Sequence, residues 1–598
     1  MPSTGKAQMS ESGAIGVIAV TERGRSAADR LQSAWPDRVR TFTGERAGEE
    51  LRSAFAECGA VVAFLAVGAA VRALAPVLGD KHADPPVVCV DEALQHAVAV
   101  LGGHHGGNAL AAEVAGVLGA APVITTASDA ASAAPLDSYG ADLGFTVADT
   151  APLAPVGAAL LSGRPVRLEY DQVWPLPPLA PGASAQTPPE SAAALLRVTD
   201  CAVQRSGDQQ VPTVTYHPPS LVVGVGSARG AAAEEIGGLI DTALAEAGLA
   251  PQSVRTLATV DVKADEEGIL RAAEERGWQV RVLPAAELAE VEVPNPSDVV
   301  RAEIGTPSVA EAAALRAAGQ DGRRAELAVA KRKSANATAA VARLHPRGRL
   351  ALVGLGPGAR DLTAPRALAE LHRASVVVGL DQYLDQVRDL LRRGTRVVAS
   401  GLGQEEERAR TAVAEAQQGA AVALIGSGDA GVYAMASPAL DFAGDDIDVV
   451  GVPGITAAVA AAHRLGAPLG HDHAYISLSN LHTPWEAIER RLHAAAEGDF
   501  TVCFYNPRSR RRAWQLPEAL RILGEHRPPD TPVGYVRNAA RDDERAVVTT
   551  LEAMLNGGAE DVDMYTVVLV GSSASRTVAG RFVTPRGYTW NSAAETVP

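Results

Sequence analysis

The chain has few cysteines, and no two of them lie close together. Cys58, Cys89, Cys201 and Cys503 are scattered without a CxxC spacing, which argues against a thiolate zinc knuckle or an iron–sulfur cluster and fits a reduced cytoplasm. No metal site is expected. Aromatic residues are scarce, at 4%, and the abundance of Ala, Val and Gly suits parallel sheets covered by helices. Cations are in the minority, with 54 Lys and Arg against 70 Asp and Glu and a formal net charge of -16. That balance argues against nucleic acid as the main partner, because phosphate binding relies on an excess of Lys and Arg. No apolar run approaches the roughly 20 residues of a membrane span. Residues 1–12 are polar and small without an apolar signal core, and are expected to be a disordered leader on a cytoplasmic protein.

At 598 residues the chain is too long for one hydrophobic core, and roughly 100 to 200 residues per domain predicts about three to five domains. In residues 13–135, apolar runs at Ile15–Val20, Val61–Val67, Val87–Val90 and Val123–Thr126 alternate with Ala-rich helical stretches. That is the pattern of buried parallel strands joined by crossover helices. Residues 136–219 form a central region whose later part, Tyr170–Pro219, is rich in Pro, Ala, Ser and Gln. It has no room for a long helix and reads as a joint. A second β/α pattern, 220–343, opens at Leu221 with LVVGVG and passes through LATVDV. HPRGR at His345–Arg349 makes 344–349 a linker to the next strand-like run, LALVG from Leu350. The remaining boundaries are 350–460, 461–585 and a tail at 586–598. No repeat of about 20 to 50 residues is present, which argues against a solenoid.

From residue 350 onward the chain carries short motifs in fixed succession: GLGPG at Gly354–Gly358, GSGDAGVY at Gly426–Tyr433, PGITA at Pro453–Ala457, SLSNLHTPW at Ser477–Trp485 and YNPRS at Tyr505–Ser509. GSGD follows the apolar run Ala421–Ile425, so Gly428 and Asp429 sit at the carboxyl end of a strand, where α/β sheets bind ligands. Glycines there let backbone approach a ligand where a Cβ would clash. GLGPG also follows a strand but lacks the GxGxxG spacing of a dinucleotide site, which leaves a nucleotide loop and a plain strand-to-helix turn both open. His482 is the acid–base candidate, because imidazole titrates near neutrality; a surface histidine is the alternative. Arg508, Arg510, Arg511 and Arg512 follow the YNP turn and offer charge-assisted bonds to carboxylates. The alternative for them is a solvated helix start.

Taken together, these motifs resemble the tetrapyrrole methylase family, and within it the precorrin-3B C17-methyltransferases of cobalamin biosynthesis, over about Gly348 to Thr577. The resemblance implies a two-domain fold, S-adenosyl-L-methionine as cofactor, and methylation at C17 coupled to ring contraction. It implies cofactor contacts from Pro357, Ser427, Gly428, Asp429, Thr456, Ala457, Tyr505, Asn506, Asn538 and Thr566. It turns Gly354 and Gly356 of the first loop toward the tetrapyrrole, gives Arg508 the acetate and propionate groups of the ring, and leaves proton transfer to His482. The family's SLSD reads SLSN here at Asn480, its MLTTV strand reads MYTVV from Met564, and GNS reads GSS at Ser572. The change to Asn480 removes a charge that could have served as a base. SLSNLHTPW and YNPRS suit the C17 subgroup rather than siroheme-type C2/C7 enzymes.

Earlier in the chain stand VGAAVRALAPVLGDKHADPPVVCVDE (Val67–Glu92, with Arg72), GGHHGGNALAAEVAGVLGAAPVITTASD (Gly102–Asp129), GVGSARG (Gly224–Gly230), TVDVKADEEGI (Thr259–Ile269), PNPS (Pro294–Ser297), GTPSVAEAAAL (Gly305–Leu315) and LAVAKRK (Leu327–Lys333). In the second of these a glycine-rich loop joins a strand to an Ala-rich helix, with Asn108 placed to cap the helix start and free N–H groups favouring a carboxylate. His104 and His105 have no further metal ligands near them in sequence. Asp261, Lys263, Asp265 and Glu266 cluster after an apolar strand, while Glu311 and Lys331 come from neighbouring motifs. Lys263 and Glu266 are the acid–base and oxyanion candidates; a strand-end salt-bridge network is the alternative. These segments resemble the cobalamin biosynthesis G protein, the cobalt-precorrin-5A hydrolase, over about Gly13 to Ala342. The resemblance implies opening of a δ-lactone by water and release of a two-carbon aldehyde, with His104 acting on the lactone carbonyl and Arg72 and Asn108 toward substrate. The family's GHxGGAN appears one residue shorter as GHHGGN, and a GxGCRRG-like pattern loses its Cys at Ser227 and one Arg at Ala228.

The expected fold class is therefore α/β and multidomain, with N-terminal β/α domains of the cobalt-precorrin-5A hydrolase type followed by a two-domain tetrapyrrole methylase fold. The expected function is bifunctional corrin-ring synthesis: C17 methylation with ring contraction of precorrin-3B or its cobalt analogue, and δ-lactone hydrolysis of cobalt-precorrin-5A releasing acetaldehyde. The alternative is an active methyltransferase with a non-catalytic corrinoid-binding N-terminal module. Tetrapyrrole substrates and a second copy of the chain, in a homodimer through the methylase half, are the expected partners, with neither nucleic acid nor membrane.

Overall fold

The computed structural model describes residues 14–44, 46–79, 84–125, 135–203, 211–509, 512–558 and 561–587. The expected leader, Thr126, Asp129, Arg510, Arg511 and the tail from residue 588 lie outside the described residues, as do the side chains of His104 and His105. The chain divides in the main at His345/Pro346 into two compact units.

Among the described residues, the first unit carries three sheets. The N-terminal one has six strands in the order Val39–Phe42, Ile15–Ala19, Ala60–Phe64, Val87–Val90, His96–Leu101 and Ala121–Val123. Ile15–Ala19 and Val87–Val90 are buried along their whole length, because one face packs on helices Glu22–Ala34 and Asn108–Leu118 and the other on Ala47–Glu57 and Val67–Leu74. The expected parallel pairing fails at one place. Val87–Val90 and His96–Leu101 are antiparallel, since the segment between them is too short for a crossover helix. The Asp91 carboxylate closes that turn by accepting the Ala93 and His96 N–H groups at 3.0 and 2.5 Å.

The Pro-rich stretch is more than a joint. Ala183–Ser184, Ala194–Val198 and Thr213–His217 join Thr146–Val147 and Val166–Tyr170 in a five-stranded sheet, with the prolines confined to the extended segments and turns that tolerate them. The third sheet runs Gln279–Leu283, Val254–Val260, Leu221–Ser227, Ala337–Leu344, Ala325–Lys333, its first three strands parallel and its last two an antiparallel hairpin. Gly224 on the central strand lets the Ala-rich helix Val309–Ala318 come close; a Cβ there would stand 1.9 Å from the Ala310 carbonyl oxygen.

In the second unit, the first sheet is wholly parallel, in the order Arg396–Ser400, Val376–Leu380, Ala421–Gly426, Arg349–Gly354, Asp448–Val452. Parallel strands share one direction, so GLGPG, GSGD and PGIT gather at a single carboxyl edge. Helix Glu405–Gln417 covers this sheet through Ala409, Ala412, Val413 and Ala416, which fall on one helical face and are buried. Glu405, Glu406 and Glu407 fill its first turn, where the helix dipole favours anions. The second sheet runs His473–Ser477, Thr501–Tyr505, Thr566–Val570, Pro532–Arg537, Arg545–Thr550, with only the first pair parallel. Sheets covered by helices in both units make this a multidomain α/β protein. No helix among the described residues is long and apolar enough to cross a membrane.

Candidate functional site

Three loops at the carboxyl edge of the parallel sheet are stitched into one block. The Gly356 N–H donates to the Gly428 carbonyl at 3.0 Å and the Gly428 N–H returns the bond to Gly356 at 2.7 Å. Asp429 completes the block, its carboxylate accepting the Gly454 N–H at 2.9 Å and the Gly431 N–H at 2.8 Å. Gly354 lies against it so closely that a Cβ would meet the Gly428 oxygen and the Gly454 nitrogen at 2.7 Å. The glycines of these motifs thus serve the approach of loop to loop. Gly354 and Gly356, expected toward the tetrapyrrole, are not among the residues that line the cavity described next. Gly428, Asp429 and Thr456, expected at the cofactor, are likewise not among its lining residues.

The cavity has a volume of about 300 Å³. Pro357, Ser427 and Ala457 line it from the stitched loops, and Tyr505, Asn506, Asn538 and Thr566 line it from strand ends of the second sheet. Each of the latter is pinned by a partner. The Tyr505 hydroxyl accepts the Ala458 N–H at 3.0 Å and bonds to Thr456 Oγ1 at 2.5 Å, tying the YNP strand end to the start of helix Ala457–Leu465. Burial raises the pKa of that phenol above its ordinary value, against the opposing pull of the Thr456 and Ala458 bonds, so it is neutral at pH 7. Asn506 Nδ2 donates to Ser477 Oγ at 3.1 Å, Asn538 Nδ2 to Asp543 at 2.6 Å, and Thr566 Oγ1 to Asp563 at 2.9 Å. Burial works against ionisation of Asp563, yet its bonds from Arg537 and Thr566 win and hold the carboxyl below the usual range. Tyr433, Tyr475 and Tyr505 form an aromatic cluster with centroids 5.2 and 5.7 Å apart.

Two features of this cavity carried no signal in the sequence. Tyr433, Asn506 and Asn538 all line it with left-handed backbone, at φ of 52°, 50° and 50°. Such conformations cost about 1–3 kcal/mol for residues other than glycine and collect at functional sites. Arg541, from the turn after strand Pro532–Arg537, donates to the Pro357 carbonyl at 3.0 Å and to Ser427 Oγ at 3.2 Å, bracing GLGPG and GSGD together.

Other expected residues lie elsewhere. His482 is exposed in the loop before helix Trp485–Glu497 and is not part of the cavity wall. Arg508 is half-buried and also outside that wall. Arg512 is buried and spends its guanidinium on the Leu478 and Asn506 carbonyls at 3.0 and 2.5 Å, so it pins the YNP turn from within and is not a grip for substrate.

In the first unit, GVGSARG and TVDVKADEEGI meet. Lys263 Nζ lies 3.4 Å from Glu266 Oε2, with side chains 11% and 4% exposed. The Gly230 N–H donates to Glu266 Oε1 at 2.6 Å, while Arg229 reaches Asp265 at 2.8 Å and Glu266 at 3.7 Å. Arg229 is the member of this network that sequence reasoning passed over. Ser227 buries a hydroxyl that takes no hydrogen bond among the described residues. Glu311 acts structurally. Its carboxylate accepts Asn295 Nδ2 at 2.7 Å and the Lys331 N–H at 3.0 Å, and so binds three of the motif segments to one another. Asn108 does not cap its helix. It is already helical, at φ -67° and ψ -42°, behind the π-turn Gly103–Gly107 that contains His104, whereas a capping side chain needs extended backbone. Arg72 is exposed on helix Val67–Leu74 and donates to the Gly68 carbonyl at 3.1 Å.

The family model described as Tetrapyrrole (Corrin/Porphyrin) Methylases matches residues 349–555, and those described as Cobalamin synthesis G N-terminal and Cobalamin synthesis G C-terminus match residues 49–129 and 221–342. The chain is 43% identical over 243 residues to the probable cobalt-factor III C(17)-methyltransferase of Salmonella typhimurium, covering 40% of this chain and 99% of that protein. It belongs to the tetrapyrrole methylase family, with both cobalamin synthesis G domains on the same polypeptide. It is also 41% identical over 251 residues to the cobalt-factor III methyltransferase of Priestia megaterium, a match to 40% of this chain and less than half of that protein, 45%. The crystal structure of the methyltransferase CobJ is similar over 40% of this chain and 100% of its own, at 37% identity and a TM-score of 0.37.

Proposed function

We propose that the chain carries two activities of corrin-ring synthesis. The second unit binds S-adenosyl-L-methionine and transfers its methyl to C17 of precorrin-3B or its cobalt analogue, with ring contraction. The observation that carries this reading is the convergence of Pro357, Ser427, Ala457, Tyr505, Asn506, Asn538 and Thr566 on one cavity, from loops far apart in sequence. The polar lining suits the nucleoside: amides of Asn506 and Asn538, the Ser427 hydroxyl and the acceptor oxygen of Thr566 for its ribose and amino-acid ends, and the faces of Tyr433 and Tyr505 for its base. When bound, its sulfonium supplies an electrophilic methyl. The chain's own residues orient it and exclude water, with Asp429 and Arg541 acting as positioning residues that hold the loops.

The first unit hydrolyses the δ-lactone of cobalt-precorrin-5A. Glu266 takes a proton from water as its oxygen adds to the lactone carbonyl; Lys263 faces the developing oxyanion and protonates the alkoxide that leaves. The freed hydroxyl then gives up its proton as it becomes the carbonyl of acetaldehyde, the adjoining carbon–carbon bond breaks, and that bond's electron pair stays with the macrocycle, which takes up a proton. The close Lys263–Glu266 pair, at 3.4 Å, supports this assignment. A homodimer through the methylase half and a cytoplasmic location complete the reading.

Incubating the full chain with labelled methyl donor and either cobalt-bearing or cobalt-free tetrapyrrole, and following product mass, tests it. The expected product gains one labelled methyl. A lactone substrate should yield acetaldehyde in a separate incubation; tight binding without release would make the first unit a corrinoid-holding module instead.

A further inference from the structure

Among the described residues, one buried cation in the cavity wall has only neutral hydrogen-bond partners. Arg408, in the first turn of helix Glu405–Gln417, is 5% exposed and forms part of the cavity wall. Its Nε donates to Ser400 Oγ at 2.7 Å, Nη2 to the Gly401 carbonyl at 2.8 Å, and Nη1 meets Met435 Sδ at 3.4 Å. No carboxylate among the described residues lies within 4.0 Å of it. Glu405, the acidic residue of the same wall, instead accepts the Gly403 N–H at 3.2 Å. A guanidinium taken out of water is costly unless an anion joins it, and the three glutamates of the same turn answer the helix dipole without pairing with Arg408. Around it the wall is apolar, from Leu380, Tyr383, Leu402 and Met435, and Leu402 is 81% exposed, leaving an apolar surface open toward solvent.

We propose that Arg408 is the binding residue for a peripheral carboxylate of the tetrapyrrole, an acetate or propionate arm that enters the cavity while the ring lies over Leu402. The proposal rests on the reading of this cavity as a methylase site. A macrocycle does not fit within about 300 Å³ and stays outside, so that an arm alone reaches Arg408. The planar fork of Arg408 offers paired N–H donors that match a carboxylate.

The test measures two dissociation constants on the full chain, for S-adenosylhomocysteine and for uroporphyrin, a tetrapyrrole with eight carboxylates, in wild type, Arg408→Gln and Arg408→Lys. Arg408→Gln should weaken uroporphyrin binding by about 10- to 100-fold, as loss of a charge-assisted bond would, and leave S-adenosylhomocysteine affinity unchanged. Arg408→Lys, which keeps the charge without the fork, should fall between. Unchanged uroporphyrin affinity in Arg408→Gln overturns the proposal. So does equal loss of both ligands with a lowered melting temperature, which would make Arg408 a loop brace. Wild type that binds S-adenosylhomocysteine but not uroporphyrin overturns it as well, whereas wild type that fails to bind S-adenosylhomocysteine overturns the methylase reading beneath it.

Discussion

Gly454→Val slows methyl transfer by about 10²-fold or more and weakens S-adenosylhomocysteine binding, because misplacing reacting groups by about 1 Å is enough for a rate loss of that size. A Cβ at Gly454 would stand 2.1 Å from the Gly428 oxygen and 2.8 Å from backbone atoms of Gly354. Backbone cannot rotate aside as a side-chain tip can, so the three loops must part. Asp429→Ala is the milder counterpart. It leaves the Gly454 and Gly431 N–H groups without their acceptor, at a cost of about 1–3 kcal/mol. Isothermal titration reads both variants. Wild-type affinity in Gly454→Val would mean that the stitched loops do not shape the donor site.

Lys263→Ala stops aldehyde release and leaves methyl transfer intact. Its partner Glu266 is 4% exposed, and breaking a buried ion pair costs about 3–5 kcal/mol; here Arg229, 3.7 Å from Glu266, offsets part of that. Lys263→Arg separates chemistry from folding, since it keeps the charge but moves the donors. Thermal unfolding should place Lys263→Arg near wild type, with aldehyde release still impaired. Release at the wild-type rate in Lys263→Ala would remove this lysine from the reaction, and equal loss of both activities would indicate a general folding defect.

Much of the fold was legible because its strands are buried on both faces. Runs such as Val87–Val90 and Ala421–Gly426 are apolar at every position, which marks a strand under helices without the help of alternation. The antiparallel turn at Asp91 was missed because its signal is a side-chain bond, not a hydrophobic period. The Pro-rich region was misread for a related reason: strands such as Ala194–Val198 alternate only briefly between stretches of turn residues.

The site was legible where a motif residue itself reaches the cavity, as Tyr505 and Asn506 do. It was illegible where a residue acts through backbone. Nothing in the letters distinguishes Gly354, which lies against another loop, from a glycine against a ligand. Arg541 and Arg408 were also invisible, because each gains its meaning from groups far away in sequence: Arg541 from Pro357 and Ser427, Arg408 from Ser400 and Met435. Arg512 shows the converse, a cation in a suggestive cluster whose bonds turn inward.

The central claim is that the cavity between the stitched loops and the YNP strand end holds the sulfonium nucleoside. A crystal grown with S-adenosylhomocysteine measures this directly. The account predicts the nucleoside in contact with Pro357, Ser427 and Ala457 on one side and Tyr505, Asn506, Asn538 and Thr566 on the other. Density for it at another place, or none at saturating concentration, would contradict the account.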